Sequence, residues 1–314
     1  MKREEDLFSQ DDYFENSKEK EAADRNNTLV NKMVAIGKPF FRSEFMPSPD
    51  QSGSMLSLRI TDMKLLYMAL TEIKWSQAGN KFDVRLRKSD ICDVLDIPKD
   101  HRAANRIRNA YDHLARMSYL KMDINDRKDY KNGFLVFGSD SEERGEIINV
   151  HLNGVQFGTL FENLTGNKDF FVMWVNDIYR FTSIYSYLLY EDLRIHSDSR
   201  RKNSRIYTDE ELKRVLRIPT SGKGSYMHML KGKPHFNRNL FEKYILEPVT
   251  QEIADCRMVC LSPVGRKRQD GDRILPQKDN LVFYRKVKQN GKIAGYEFQY
   301  SIKTGRTKML PDEE

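Results

Sequence analysis

The order of segments in this 314-residue sequence predicts an α+β, helix-rich fold: two winged helix-turn-helix modules in tandem, related by a pseudo-twofold internal repeat. Three observations predict it. Between Thr182 and Leu261, three helical patterns are followed by strand-like segments, the order of a winged helix. Residues 58–152 run through helix, strand, helix, helix and hairpin in the same sense. In each module a short helix ending in Leu-x-Ile-Pro precedes the longer one, as Leu95-Asp96-Ile97-Pro98 and as Leu216-Arg217-Ile218-Pro219. A repeated device of this kind weighs more than either copy alone.

The bulk properties suit that division. The length is comfortable for two domains, and with 39% apolar and 32% charged residues the chain can bury two small cores. No run of 18 apolar residues occurs, so no membrane-spanning segment is expected. Met1 to Asp6 lacks the apolar stretch of a signal peptide. Three scattered cysteines, Cys92, Cys256 and Cys260, suit reduced thiols in a cytoplasm.

The elements follow in order. Residues 1–30 hold five basic and nine acidic residues and almost no aliphatic ones, so they are expected to be a disordered acidic arm. The rest of the chain therefore carries a net +11 of the overall +7. Residues 31–167 form the expected first winged-helix domain, with a helix or strand near Val34 to Ile36. Thr61 is placed as the cap of a helix whose stripe is Met63, Leu66, Tyr67 and Leu70. Phe82, Val84 and Leu86 alternate as a strand. Ser89 is expected to cap a short helix, Ile91 to Leu95, and Asp100 a longer one, His101 to Met117. On the latter, Ile107, Ala110, Leu114 and Met117 make the apolar stripe, while Arg102, Asn105, Arg106, Asn109, His113 and Arg116 fall mostly on the other side. Strands at Leu120 to Ile124, Phe134 to Phe137 and Ile147 to Leu152 follow, with the polar tip Asp126 to Gly133 as the first wing.

Residues 154–176 are too apolar for a loose linker and are expected to form a packed connector, with the boundary near Thr165 to Asp169. Residues 168–305 form the expected second domain and 306–314 a flexible tail. Here Thr208 and Glu211 make a capping box ahead of Leu212, Val215 and Leu216. A basic Gly-rich turn leads to the third helix, Asn237 to Ile253, in which Phe241, Ile245 and Val249 pack inward. Pro248 has no amide for the Tyr244 carbonyl, so the helix should kink or restart there. Asn290-Gly291 signals a type I′ hairpin, the second wing, with Tyr296, Phe298 and Tyr300 alternating on its return strand.

A basic body of pI about 9.1 suits a polyanionic partner, and the fold order directs attention to DNA. Arg102, Asn105, Arg106 and Asn109 share one face near the start of the first long helix, where a major-groove reader places Arg against guanine and Asn against adenine. Arg238, Asn239 and Lys243 take that part in the second module. Arg127, Lys128 and Lys131 at the first wing, Arg200, Arg201, Lys202, Lys223 and Lys233 in loops, and Lys286, Lys288 and Lys292 at the second wing are placed as phosphate contacts. Any one such cluster on its own reads as solubility charge; their repetition on both modules favours DNA.

Enzymatic signals are weak. Ser221-Gly222-Lys223-Gly224-Ser225 lacks the first glycine and the strand of a P-loop. The six histidines contain no His-x-His pair for a metal-dependent nicking reaction. Cys256 and Cys260 have no second pair for zinc. No catalytic residue, metal or cofactor is assigned.

From Ser183 to Ile253 the sequence resembles the iteron-binding plasmid replication initiators, the Rep family with two winged-helix domains. The resemblance rests on Ser183-Ile184-Tyr185-Ser186-Tyr187-Leu188-Leu189 and on Phe241, Leu246-Glu247-Pro248 and Glu252-Ile253. The hairpin Lys286 to Phe298 resembles the family's second wing, and Asn31 to Leu120 matches more loosely through Leu58-Arg59-Ile60-Thr61-Asp62. Glu242 and Tyr244 stand where the family is mostly basic. The resemblance implies a non-enzymatic protein that binds directly repeated origin sites in duplex DNA. It implies monomers that open the adjacent duplex and recruit the host initiator and replicative helicase. It also implies homodimers, formed through the first module, that repress the protein's own gene. A two-domain transcription regulator without an initiator role shares every fold feature, and a replication enzyme such as a relaxase or primase is the third alternative.

Overall fold

The computed structural model describes residues 33–37, 44–46, 57–72, 81–117, 119–123, 130–134, 136–142, 146–153, 170–197, 203–219, 224–230, 233–266 and 281–302. The chain divides into two units, Met1–Arg180 and Phe181–Glu314.

The first unit runs β1 (Met33–Gly37), β2 (Glu44–Met46), α1 (Ile60–Thr71), β3 (Lys81–Arg87), α2 (Lys88–Leu95), α3 (Ala103–Met117), β4 (Tyr119–Asp123), β5 (Tyr130–Phe134), β6 (Val136–Glu142), β7 (Ile147–Asn153), β8 (Phe170–Trp174) and α4 (Val175–Arg180). Helix α1 is buried almost all round, through Met63, Leu65, Leu66, Tyr67, Met68 and Ala69, which makes it the centre of this unit's core. Ile107, Tyr111, Leu114 and Met117 of α3 complete that core.

Some expectations at the helix starts shift by a residue or two. Asp62, not Thr61, closes the start of α1, because its Oδ2 accepts the Arg59 amide at 2.7 Å. Ser89 sits inside the first turn of α2 and donates to Asp90 instead of capping. Asp100 does cap α3, accepting the Arg102 amide at 2.8 Å. His113 was expected on the outer face but is buried. It donates from Nδ1 to Asp62 Oδ1 (2.9 Å) and so ties α3 to α1. Burial pushes the Asp62 carboxyl above its ordinary range, and the contacts to His113 and the Arg59 amide offset this only in part.

The wing also moves. Strand β3 pairs with β7 from Lys81↔Asn153 to Arg87↔Ile147, and β7 pairs with β6. The sheet order β3-β7-β6 makes the β6–β7 hairpin the wing of this module. The hairpin β4–β5, which sequence suggested for that role, joins β2 in a separate sheet. The boundary moves likewise. Strand β8 pairs with β1 over five residue pairs, so residues 170–180 fold with the first unit and the division follows Arg180. The rest of the expected connector, 154–169, lies outside the described residues.

The second unit runs α5 (Ile184–Ile195), β9 (Asn203–Thr208), α6 (Asp209–Val215), β10 (Met227–Leu230), β11 (Lys233–Phe236), then one continuous helical run, α7, made of Arg238–Phe241, a π-helical turn Glu242–Leu246 and Glu247–Ala254. Strands β12 (Val259–Leu261), β13 (Gly265–Arg266), β14 (Leu281–Val282), β15 (Arg285–Gln289) and β16 (Lys292–Ile302) follow. Strand β16 is the axis of the sheet, with β9 along one edge and β12 and β15 along the other. Tyr296, Phe298 and Tyr300 of β16 are buried, as alternation requires, with Tyr296 against Phe241 of α7 and Phe298 against Tyr207 of β9. The hairpin β10–β11 and strand β9 were not expected. Their signal is faint: among their side chains with described burial, Tyr207 of β9 and Phe236 of β11 are the buried ones.

The Leu-x-Ile-Pro repeat is a geometric one. Asp96 and Arg217 both take left-handed backbone, each at φ 52°. The next amide reaches five residues back in both cases, Ile97 to the Cys92 carbonyl (3.0 Å) and Ile218 to that of Lys213 (2.8 Å). The proline then blocks helical continuation. Among the described residues, no helix is long and apolar enough to cross a membrane.

Two glycines fix the second wing. Gly291 (φ 77°) follows Asn290 (φ 51°) in the two-residue turn, the signature of type I′. At Gly295 a Cβ would lie 2.0 Å from the Tyr207 carbonyl oxygen of β9. Gly291→Ala is expected to lower unfolding free energy by about 1–2 kcal/mol. Gly295→Ala should cost more than this, because backbone must separate; urea melts of the two variants compare them directly. In the first unit, His151 of β7 lies between Asp83 (2.7 Å) and Asp140 (3.0 Å) on the flanking strands. The Asp83 bond, ahead of that to Asp140, raises the imidazole above its ordinary 6.5 despite partial burial. This raised pKa stabilises the sheet fully below pH 6.5, and the contribution disappears as pH rises through the folded value. Urea melts on either side of that window should show it, and His151→Asn should flatten the difference.

Candidate nucleic-acid interface

In a winged helix the third helix presents its start outward, held from behind by the second helix and the sheet. Here α3 and α7 hold that place. Arg102, just before α3, and Asn105 and Asn109 on it have exposed side chains, the two asparagines one turn apart. Arg106 is less free than sequence suggested. Its Nη2 donates to Asp100 Oδ1 (2.6 Å) and to the Pro98 carbonyl (2.9 Å), so the guanidinium braces the turn between α2 and α3. Partial burial would raise Asp100, but the Arg102 amide and Arg106 outweigh it and hold the carboxyl below its ordinary range.

The second unit repeats this brace. Arg238, the first residue of α7, pairs with Asp209, the first residue of α6, and its guanidinium carbon lies 5.8 Å from the centroid of the Phe236 ring. Asn237 caps α7 by accepting the Leu240 amide at 3.2 Å. Asn239, Leu240, Lys243 and Tyr244 are exposed. Lys243 Nζ lies 5.2 Å from the centroid of the Tyr244 ring.

Between these exposed residues the helix widens. The amide of Glu247 bonds the Glu242 carbonyl, five residues back, in place of the α-helical four. Pro248 supplies the reason: it has no N–H for the Tyr244 carbonyl, and its ring would press on that carbonyl in a regular helix. Beyond it, Thr250 Oγ1 donates to the Leu246 carbonyl at 2.6 Å. Glu242 lies in the widened turn and faces inward, only 7% exposed. It accepts from Lys286 Nζ of β15 (2.7 Å) and from Tyr296 OH of β16 (3.0 Å). A residue that sequence placed among the basic outer positions is therefore the joint between helix and wing. Lys286, placed at the wing as a phosphate contact, is the other half of that joint.

Lys288 and Lys292 are exposed on either side of the type I′ turn, with no ion pair among the described residues. Lys131 is in β5 and Lys233 opens β11, where sequence expected a turn. Arg127, Lys128, Arg200, Arg201, Lys202 and Lys223 lie outside the described residues. No group of three or more His, Cys, Asp or Glu side chains among the described residues is placed to hold a metal. Sequence missed Glu242, Asp209 and the exposed Leu240. Glu242 and Asp209 carried no signal, since nothing local says which carboxylate turns inward.

Residues 51–194 match a family model described as Initiator Replication protein, WH1. Over those residues, somewhat less than half of its length, the chain is similar to the WH1 module of the replication initiators. Among solved structures, that of the Pi initiator protein in complex with iteron DNA is similar over 88% of this chain and 99% of its own, at 14% identity and a TM-score of 0.56. That likeness is one of fold. Two structures of domains 2 and 3 of RctB are each similar over 77% of this chain and over 82% and 80% of theirs, at 14% and 16% identity, with TM-scores of 0.43 and 0.36. No curated protein matches the chain in sequence. The WH1 match covers α1, α2, α3 and the β6–β7 wing, and it stops one residue short of the end of α5.

Glu242→Ala would leave the Tyr296 hydroxyl buried without its acceptor. A loss of about 1–3 kcal/mol of unfolding free energy is expected. Glu242→Gln should recover part of it, and urea denaturation measures both.

Proposed function

We propose that the protein is a plasmid replication initiator that binds directly repeated sites in duplex DNA at its origin. The observation that carries this reading lies within the second unit. There an exposed polar start to α7, with Asn239 and Lys243, is joined through Glu242 to a wing that displays Lys288 and Lys292. A helix start for the major groove and a cationic hairpin for the adjacent backbone are what a winged helix needs to bind DNA. The first unit offers Arg102, Asn105 and Asn109 in the equivalent place. The net charge of +7 supports a polyanionic partner, and the WH1 match supports initiation as its purpose. The Pi protein, similar in fold, is described in complex with iteron DNA.

The finer parts of the reading follow from resemblance to that family. Monomers open the duplex beside the repeats and hand the origin to the host initiator and helicase. Dimers formed through the first unit repress the protein's own gene. The protein acts in the bacterial cytoplasm, without a cofactor and without chemistry of its own.

The test is binding of the purified full chain to tandem repeats in the DNA flanking its gene, against scrambled duplex at the same salt. Preference for the repeats is expected, and equal affinity would refute the proposal. Two substitutions separate helix from wing. Asn239→Ala should cost about 1–3 kcal/mol and relax discrimination at one base position. Lys288→Ala should weaken every sequence alike and reduce the salt dependence by about one counterion. Identical behaviour of the two would show that α7 does not read bases.

A further inference from the structure

Among the described residues, the large apolar side chains left exposed are Ile206, Leu240 and Tyr244. A single exposed apolar residue needs no explanation. Leu240 and Tyr244 are different because they are four residues apart on α7, 43% and 57% exposed, while Phe241, Ile245 and Leu246 of the same turns fill the core. They therefore form an apolar patch on the outer face of the helix that a winged helix presents to DNA.

The neighbouring groups indicate what covers it. The outer face from 239 to 244 carries an amide at Asn239 and an ammonium at Lys243. The one carboxylate of that segment, Glu242, is turned inward and paired with Lys286 and Tyr296. The same unit displays Lys288 and Lys292 on its wing. A surface that is cationic, free of outward acid in that segment and apolar at its centre fits duplex DNA. In the major groove, one feature is apolar: the C5-methyl group of thymine. Side chains four residues apart on a helix are about 5–6 Å apart at Cβ, and successive bases rise about 3.4 Å, so the pair spans one to two base steps.

We propose that Leu240 and Tyr244 read the methyl groups of two nearby thymines, and that Asn239 and Lys243 engage the adjoining base edge and backbone. The second unit's part of the site then contains thymines at a fixed spacing. The inference rests on the DNA-binding function proposed above and adds the residues and the base that set specificity. It also accounts for Tyr244 at a position where the resembling family is mostly basic: the ring is exposed for contact and carries Lys243 beside it.

The experiment enriches sites from a randomised duplex with the full chain, then resynthesises the winning site with single deoxyuridines in place of thymidines. Uracil pairs as thymine does but lacks the methyl group. For the native protein, two thymines should each weaken binding about fourfold when replaced, the fold-change that corresponds to ~0.8 kcal/mol for one buried methyl. In Leu240→Ala the penalty should vanish at one of the two, and in Tyr244→Ala at the other. Both positions are exposed, so thermal melts of the variants should match the native protein. A site indifferent to uracil, a site without thymine under the second unit, or penalties that persist in both variants would overturn the inference while leaving DNA binding intact. A protein partner on this face would give the first of these results. Failure to enrich any site would overturn the proposed function itself, and the inference with it.

Discussion

Pro248 lacks a backbone N–H, and much of the second unit follows from that one absence. A regular helix from Arg238 to Ala254 would direct the Tyr244 carbonyl at a residue unable to bond it. The chain widens into a π turn instead, with Glu247 reaching back to Glu242. The extra residue in that turn lets Phe241, Ile245 and Leu246 all face the core while Glu242 meets Lys286 and Tyr296. Helix and wing are thereby locked through one carboxylate. The outer face is left with Asn239, Leu240, Lys243 and Tyr244 and no acid between them. A proline that looks like a defect in the helix sets the chemistry of its exposed side.

The two units share a brace as well as an order of elements. In each, the residue before Ile-Pro takes left-handed backbone and stops the second helix. In each, an arginine near the start of the third helix is held by an acid, Arg106 by Asp100 of the turn before it and Arg238 by Asp209 at the start of the second helix. These arginines are less able to act as free base readers than their positions suggest, because a guanidinium already bonded to carboxylate gives up that bond before it meets a base. The exposed asparagines one turn along, Asn105 and Asn109, and Asn239 beside Arg238, carry no such cost.

The units differ in their insertions. The first places the β4–β5 hairpin after its third helix, where it joins β2, and the second places β10–β11 before its third helix. This is why the sequence points to the β4–β5 hairpin as the first wing. Two hairpins follow α3, both with polar tips, and hydrophobic alternation does not say which one pairs with β3. The register Lys81↔Asn153 to Arg87↔Ile147 decides it.

Whatever depends on local chemistry is legible in the amino-acid sequence. The Thr208–Glu211 capping box, the Asn290-Gly291 turn and the Leu-x-Ile-Pro stops each follow from residues within one turn of each other and took the form their chemistry predicts, while the kink or restart expected at Pro248 is a π turn inside one helical run. Periodicity likewise placed Phe241, Ile245, Val249, Tyr296 and Phe298 in the core. Which polar groups turn inward depends on contacts between distant segments. His113 reads as an outer-face residue until Asp62, 51 positions away, is brought against it. Glu242 reads as an outer acid until β15 and β16 arrive 44 and 54 positions later. A charged side chain goes where its partner is, and a partner distant in sequence leaves no local trace.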